Sequence, residues 1–206
     1  MRAVSEATAT LAMTASSRAE VALRQATEGD VPFLSALAAD PSVEPFLMPG
    51  AGKPEDLRAL ITRDGGEAGL LGLLVIESSG GGRVGGLALQ VRFERSRICE
   101  LSRLMVSPER RRAGVASGAV RLACHHALID RGMHRVQAEV YGDNLAAQRL
   151  FEHVGFVREG TRRSAYWRRK RWLDGVLYGL LAEELAALTP RAAPPAARSA
   201  RPRSAP

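Results

Sequence analysis

The sequence predicts a single α/β domain, an α+β arrangement in which a mixed sheet carries helices on both faces. Three observations lead there. Apolar segments switch in order between strand-like and helix-like periods, giving β, α, α, β, β, β, α, β, α, β, β between Val21 and Leu181. Glycines and prolines fall where the period changes. A chain of 206 residues has the length of one ordinary domain and can bury a core without staples.

Each element has a local reason. Val21, Leu23 and Gln25 begin a short strand. Thr27 then caps a helix carrying Val31, Phe33, Leu34 and Leu37, which Asp40-Pro41 ends. A loop with three prolines leads to Pro54, placed as a first-turn proline before Glu55, Asp56, Leu57, Leu60 and Ile61, with Gly65-Gly66 as the stop. Leu70 to Glu77 is an apolar run of strand length, and Ser78 to Gly82 turns it into a second strand from Arg83 to Glu94. Ile98 to Val106 is the next strand. A glycine-containing turn follows, then a helix with Val115, Ala119, Leu122 and Ile129 on one face. Met133 to Val140 reads as a strand in which Val136, Ala138 and Val140 alternate with polar residues. A helix through Ala146, Ala147, Leu150, Phe151 and Val154 closes on Gly155, and two strands near Phe156–Tyr166 and Arg171–Leu181 complete the order.

Charge and cysteine usage narrow the class. The net charge is +7 with a pI near 10.4, which invites a nucleic-acid or acidic partner. Residues 1–18 are rich in Ala, Ser and Thr and read as a disordered extension, with an organellar leader or a start at Met13 as open alternatives. Residues 189–206 are almost all Pro, Ala, Ser and Arg, a composition that reads as a disordered basic tail. About five of the seven excess charges lie in these ends, so the expected domain, residues 19–188, is close to neutral. Cys99 and Cys124 form neither a disulfide framework nor a CxxC pair, and no run approaches the ~18 apolar residues of a membrane span. A cytoplasmic protein without membrane attachment is the expectation.

The turn Arg110-Arg111-Arg112-Ala113-Gly114-Val115-Ala116-Ser117 carries most chemical information. Small residues let the backbone curl, and the helix beginning there aims unpaired N–H groups and its positive dipole end outward. Such a turn fits a pyrophosphate, although an ordinary solvated helix start accounts for it as well. Gly52-Lys53 imitates the end of a P-loop, but Leu47 stands where the first glycine belongs and Pro54 where Ser or Thr belongs. Gly80 to Gly82 and Gly85-Gly86 lie between strands, not before a helix, so they are no dinucleotide fingerprint. Cys124, His125 and His126 are consecutive on a helix and face different ways; no metal site is expected.

Taken together, Arg111-x-x-Gly114-x-Ala116 after a strand and Asn144-x-x-Ala147-x-x-Leu150-Phe151-x-x-x-Gly155-Phe156 some thirty residues on resemble the GNAT N-acetyltransferase superfamily. The resemblance runs from about Val21 to Leu185. Gly155-Phe156-x-x-Glu159-Gly160 and Trp172-Leu173-Asp174 look like the branch that holds the ribosomal-protein N-terminal, spermidine and amino-acid acetyltransferases. It implies a mostly antiparallel mixed sheet splayed between the fourth and fifth strands, acetyl-CoA as cosubstrate, and direct transfer to a primary amine: a free amino acid, a polyamine-like amine or a protein N-terminus. Backbone groups of Leu104, Met105 and Val106 are then expected to pair with pantetheine amides. The N–H groups of Arg111, Arg112, Ala113, Gly114, Val115, Ala116 and Ser117 are expected on the pyrophosphate. Asn144 and Ala147 would border the pantetheine arm, and Phe151 the thiol end. Asn144 would equally be a good helix cap, and Phe151 a good core residue.

The chemistry adds its own demands. An amine must be neutral to attack a thioester, and deprotonation at pH 7 costs about 4.6 kcal/mol for a lysine side chain against ~1.4 for an α-amine. Glu100 lies fourteen residues before Gly114, the spacing at which the resemblance implies a general base, with Glu139 in reserve. Many family members carry Tyr where this chain has Phe151, which cannot donate a proton. Tyr141 and Tyr166 are the substitutes, and Tyr141 is the favoured one. The basic run Arg162, Arg163, Arg168, Arg169, Lys170, Arg171 reads as a solvated hairpin tip, or with the tail as a contact for an acidic macromolecule. A CoA-binding protein without turnover and a ribosome- or nucleic-acid-associated module are the rival readings.

Overall fold

The computed structural model describes residues 10–11, 20–64 and 71–188. The expected stop at Gly65-Gly66 and nearly all of the two expected terminal extensions lie outside the described residues. Eight strands form one sheet: β1 (Thr10–Leu11), β2 (Val21–Gln25), β3 (Gly72–Ser78), β4 (Arg83–Phe93), β5 (Ile98–Val106), β6 (Arg135–Tyr141), β7 (Val157–Arg168) and β8 (Arg171–Leu181). Their spatial order is β1-β2-β3-β4-β5-β6-β8-β7. Every pairing is antiparallel except β5 with β6. Among the described residues, five α-helices accompany them: α1 (Val31–Ala38), α2 (Pro54–Asp64), α3 (Val115–His125), α4 (Leu145–Val154) and α5 (Ala182–Leu188).

The two faces of the sheet explain why the apolar runs do not alternate with polar residues. In β3, Leu74 and Ile76 join a core with α3 and α4, whereas Leu73 and Val75 join a second core with α1 and α2. In β4, Leu87 and Leu89 face the first core and Ala88 the second. Strands buried on both sides read as continuous apolar segments. Gly85 and Gly86 lie within β4 rather than between strands as the sequence suggested, and they make close packing possible here: an added Cβ would stand 2.3 Å from the Met105 carbonyl oxygen at Gly85 and 2.6 Å from Leu34 Cδ2 at Gly86.

Before α1, the Thr27 backbone N–H and Oγ1 donate to Asp30 Oδ2 at 2.8 and 2.9 Å, the polar lock expected of a Thr start. Asp30 is buried and also accepts two bonds from Arg24, at 2.7 and 2.9 Å. Burial alone would raise its pKa; the Arg24 and Thr27 hydrogen bonds outweigh that and hold the carboxyl well below the usual carboxylate range.

Three differences from the expected elements stand out. Thr10–Leu11, inside the extension expected to be disordered, pairs with Arg24 and Leu23 of β2 as β1. The other two have physical causes. The helix through Val115 does not keep one face as far as Ile129. A π-type stretch, His126–Asp130, continues α3, marked by the Arg131 N–H donating to the His126 carbonyl at 2.9 Å. The wider turn shifts the phase, and Ile129 is exposed. Helix α5 follows β8 at once; Glu184 accepts from the Leu181 N–H at 2.8 Å and Leu185 is buried. Its signal was an acidic first turn at Glu183-Glu184.

Candidate functional site

The site begins where the sheet comes apart. β5 and β6 pair only at Ile98–Arg135, Cys99–Val136 and Glu100–Gln137. Beyond Glu100 the strands separate, although β5 stays paired with β4 as far as Val106. Two residues of β5, Arg103 and Leu104, oppose the single Leu87 of β4, so β5 carries a bulge, with Arg103 at φ 51°. Backbone groups on the free side of β5 therefore lack a strand partner and face a cavity of about 600 Å³.

One wall of that cavity is β5 from Leu101 to Val106. Another is the turn into α3, where Arg111, Arg112, Gly114, Val115, Ala116 and Ser117 line it. Gly114 stands at φ 85° as the N-cap of α3, a conformation that strains any side-chain-bearing residue. The Gly118 N–H is the first to close onto the helix, donating to the Gly114 carbonyl at 2.9 Å, so the N–H groups of the preceding turn have no intrahelical partner. Ala113 sits on the same turn, exposed, but is not part of the wall. The Arg111 Nε donates to the Val106 carbonyl at 3.2 Å, tying the turn back to the strand.

Helix α4 forms the opposite side through Asn144, Ala147, Leu150 and Phe151. Asn144 caps it: Oδ1 accepts from the Ala147 N–H at 3.1 Å, so the amide NH₂ is the end of the side chain that remains for a ligand. Phe151 is buried and does packing work too, with ring centroids 4.9 Å from Phe156 and 5.8 Å from Tyr178. Met105 buries its side chain in the core beneath α1 and α2.

A second cavity, about 400 Å³, adjoins the first and shares Leu101, Ser102, Arg103, Glu139, Val140 and Tyr141 with it. Glu100 lies here, outside the first cavity, with Arg92 Nε 3.2 Å from its carboxylate. Glu139 faces the same space and accepts from Arg162 at 3.0 Å. Tyr141, at the end of β6 where the cavities meet, is buried, and its hydroxyl donates to Met48 Sδ at 3.1 Å. Burial raises its pKa, with Arg168 opposing, so the phenol stays protonated near neutrality. Tyr166, edge-on to Tyr141 at 5.0 Å, is pushed up to about 12 by burial and by its hydrogen bond to Glu139.

Residues that motif spacing does not reach complete the walls. Phe46 and Leu47, from the proline-bearing loop, line both cavities, and Met48 lines the second. No local pattern marks such residues, because the loop meets β6 and β7 only in three dimensions. The hairpin of β7 and β8 turns through Arg169 and Lys170, both at positive φ. Its arginines are not simply solvated: Arg169 and Arg171 donate to Asp143 at 2.8 and 2.6 Å, and Arg168 to Glu44 at 2.9 Å. The hairpin is thus fastened over the second cavity to the α1–α2 loop and the β6–α4 turn.

Comparison with known proteins agrees with this geometry. A family model described as an acetyltransferase (GNAT) domain matches residues 20–157, more than half of the chain. A spermidine N-acetyltransferase from Vibrio cholerae, solved in complex with CoA and spermine, is similar at a TM-score of 0.71 and 20% identity, covering 81% of this chain and 98% of its own. An acetyltransferase of the GNAT family from Bacillus anthracis gives 0.68 and 21%, covering 81% and 98%. With a strand pair that parts after Glu100, a glycine-capped helix at the mouth of the gap and this match along the chain, the protein belongs to the GNAT acetyltransferase family.

Proposed function

We propose that the protein acetylates a primary amine with acetyl-CoA as donor, and that the two joined cavities divide the work between donor and acceptor. The observation that carries this is the opening between β5 and β6, which leads from the N-terminus of α3 to the bulge at Arg103 and there meets the carboxylate-bearing second cavity. The residues fit the donor: a turn of unpaired N–H groups suits a pyrophosphate, and a strand edge without a partner suits an arm that bears amides. Arg111 to Ser117 would hold the first, Leu104 to Val106 the second, with Asn144, Ala147 and Phe151 on the far side. Acetyl-CoA supplies an activated acetyl thioester.

The chain's own groups manage the protons. Glu100, or Glu139 beside it, would accept the proton of the incoming ammonium, directly or through water. Tyr141 would hold a proton at the junction of the cavities, available to the departing sulfur. No helix among the described residues is long and apolar enough to cross a membrane.

The test is a panel of amino acids, polyamines, small amines and short peptides incubated with acetyl-CoA, read by release of free CoA. At least one amine is expected to consume acetyl-CoA well above the amine-free rate. Binding of CoA without release over any amine would instead favour a protein that binds the donor and does not turn it over.

A further inference from the structure

The second cavity has an unbalanced charge. Among the described residues, three arginines line it against two glutamates. The glutamates are already engaged, Glu100 with Arg92 and Glu139 with Arg162. The guanidinium in excess is that of Arg103. Its Nε donates to the Ala51 carbonyl at 3.3 Å, and no carboxylate of the described residues pairs with it. It is half-buried on the β5 bulge and lines both cavities, so it stands where donor and acceptor must meet. Burial draws its pKa down, and the charges of Asp56 and Glu100 only oppose that trend.

A half-buried guanidinium that has Asp56 and Glu100 near it but no carboxylate in ion-pair contact can still take an anion on its planar fork, which matches a carboxylate or phosphate. The donor's phosphates have a separate cradle at α3, none of whose residues reaches the second cavity. An anion on that fork would therefore come from the acceptor. A polyamine brings only positive charge into a space whose glutamates are already paired, and a peptide N-terminus offers neutral carbonyls.

We propose that the acceptor is an amine that also carries an anionic group, and that Arg103 receives that group and sets this specificity. The proposal rests on the acetyltransferase reading above. It holds for a carboxylate or a phosphate alike, since the fork serves both.

Matched pairs test it with the full chain: an amino acid against its amide, and phosphoethanolamine against ethanolamine, with spermidine and a short peptide alongside. The anion-bearing member of at least one pair is expected to be favoured about tenfold or more in kcat/KM, the scale of one charge-assisted hydrogen bond, and the pair that shows it names the anion. In Arg103→Gln the preference falls to about threefold or less, chiefly through KM, and Arg103→Lys regains part of it. Equal use of both members, a preference for spermidine or the peptide, or an Arg103→Gln enzyme that keeps the wild-type preference would each overturn the proposal. Those outcomes leave the acetyltransferase reading standing, whereas failure to acetylate any amine removes both. The wild-type comparison needs no variant to fold.

Discussion

Glu100 and Glu139 face one cavity from strands that have just separated, and each is held by an arginine rather than by the core. A carboxylate so placed can take a proton and return it to solvent, as the general-base role requires. Replacing Glu100 with Gln removes the acceptor and keeps the shape. The expected result is a kcat/KM that falls at neutral pH and recovers as pH rises, because the amine then loses its own proton to solvent. A pH-rate profile unchanged in shape would leave Glu100 without that role. Tyr141 differs in kind: it is buried and kept neutral, and its hydroxyl donates to a thioether, a weak acceptor that leaves the hydroxyl easily redirected. The cysteines take no part; burial pushes Cys99 up to about 11 and Cys124 higher still, so neither is a thiolate at physiological pH.

At the scale of elements, the turn into α3 depends on one backbone conformation. Gly114→Val puts a β-branched residue at φ 85°, a strain of about 1–3 kcal/mol set in the turn proposed to hold the pyrophosphate. The expected outcome is a KM for acetyl-CoA raised about tenfold with a smaller change in kcat, measured by steady-state kinetics. This turn and the α4 motif were legible in the sequence because each is local: glycine at a left-handed position, asparagine at a cap, apolar residues four apart. The bulge in β5 was not. Arginine at φ 51° has no compositional signature, and the bulge shows only when β5 is laid against β4. The hairpin's basic residues are mostly exposed, as expected, but their ion pairs were not legible for a similar reason, since Asp143 and Glu44, which engage three of them, lie far away in sequence. Helix α5 was passed over because the apolar run of β8 leads into it without a break.

For the molecule as a whole, the order of strands and helices from Val21 to Leu181 followed from periodicity, while β1, α5 and the chemistry of the second cavity did not. The second cavity draws on the α1–α2 loop, β4, β5, β6 and β7, and its charge balance exists only after these meet. Stability has a comparable long-range centre at Asp30, where Arg24 of β2 and Arg83 of β4 converge on one buried carboxylate. A carboxyl held below its ordinary range in the folded state contributes stability that is present above the unfolded pKa, near 4, and is lost as pH falls. Asp30→Asn is expected to cost about 2 kcal/mol at pH 7, since it removes the charged acceptor of the half-buried Arg24, which keeps Glu77, and of the exposed Arg83. In urea unfolding the variant's stability should depend less on pH below about 5 than that of the wild type.

The parting of β5 from β6 also sets a timescale. Only three residue pairs join the half-sheet β1–β5 to β6–β8 along that seam, and past Glu100 the gap-side amides of β5 have no ladder to protect them. In the free protein those amides should exchange with deuterium far faster than the amides of the same strand bonded to β4. Adding CoA should slow them selectively, as the ligand's amides take the place of a strand and close the seam. Exchange that is already slow without CoA, or unaltered by it, would mean that the ligand does not lie in the gap.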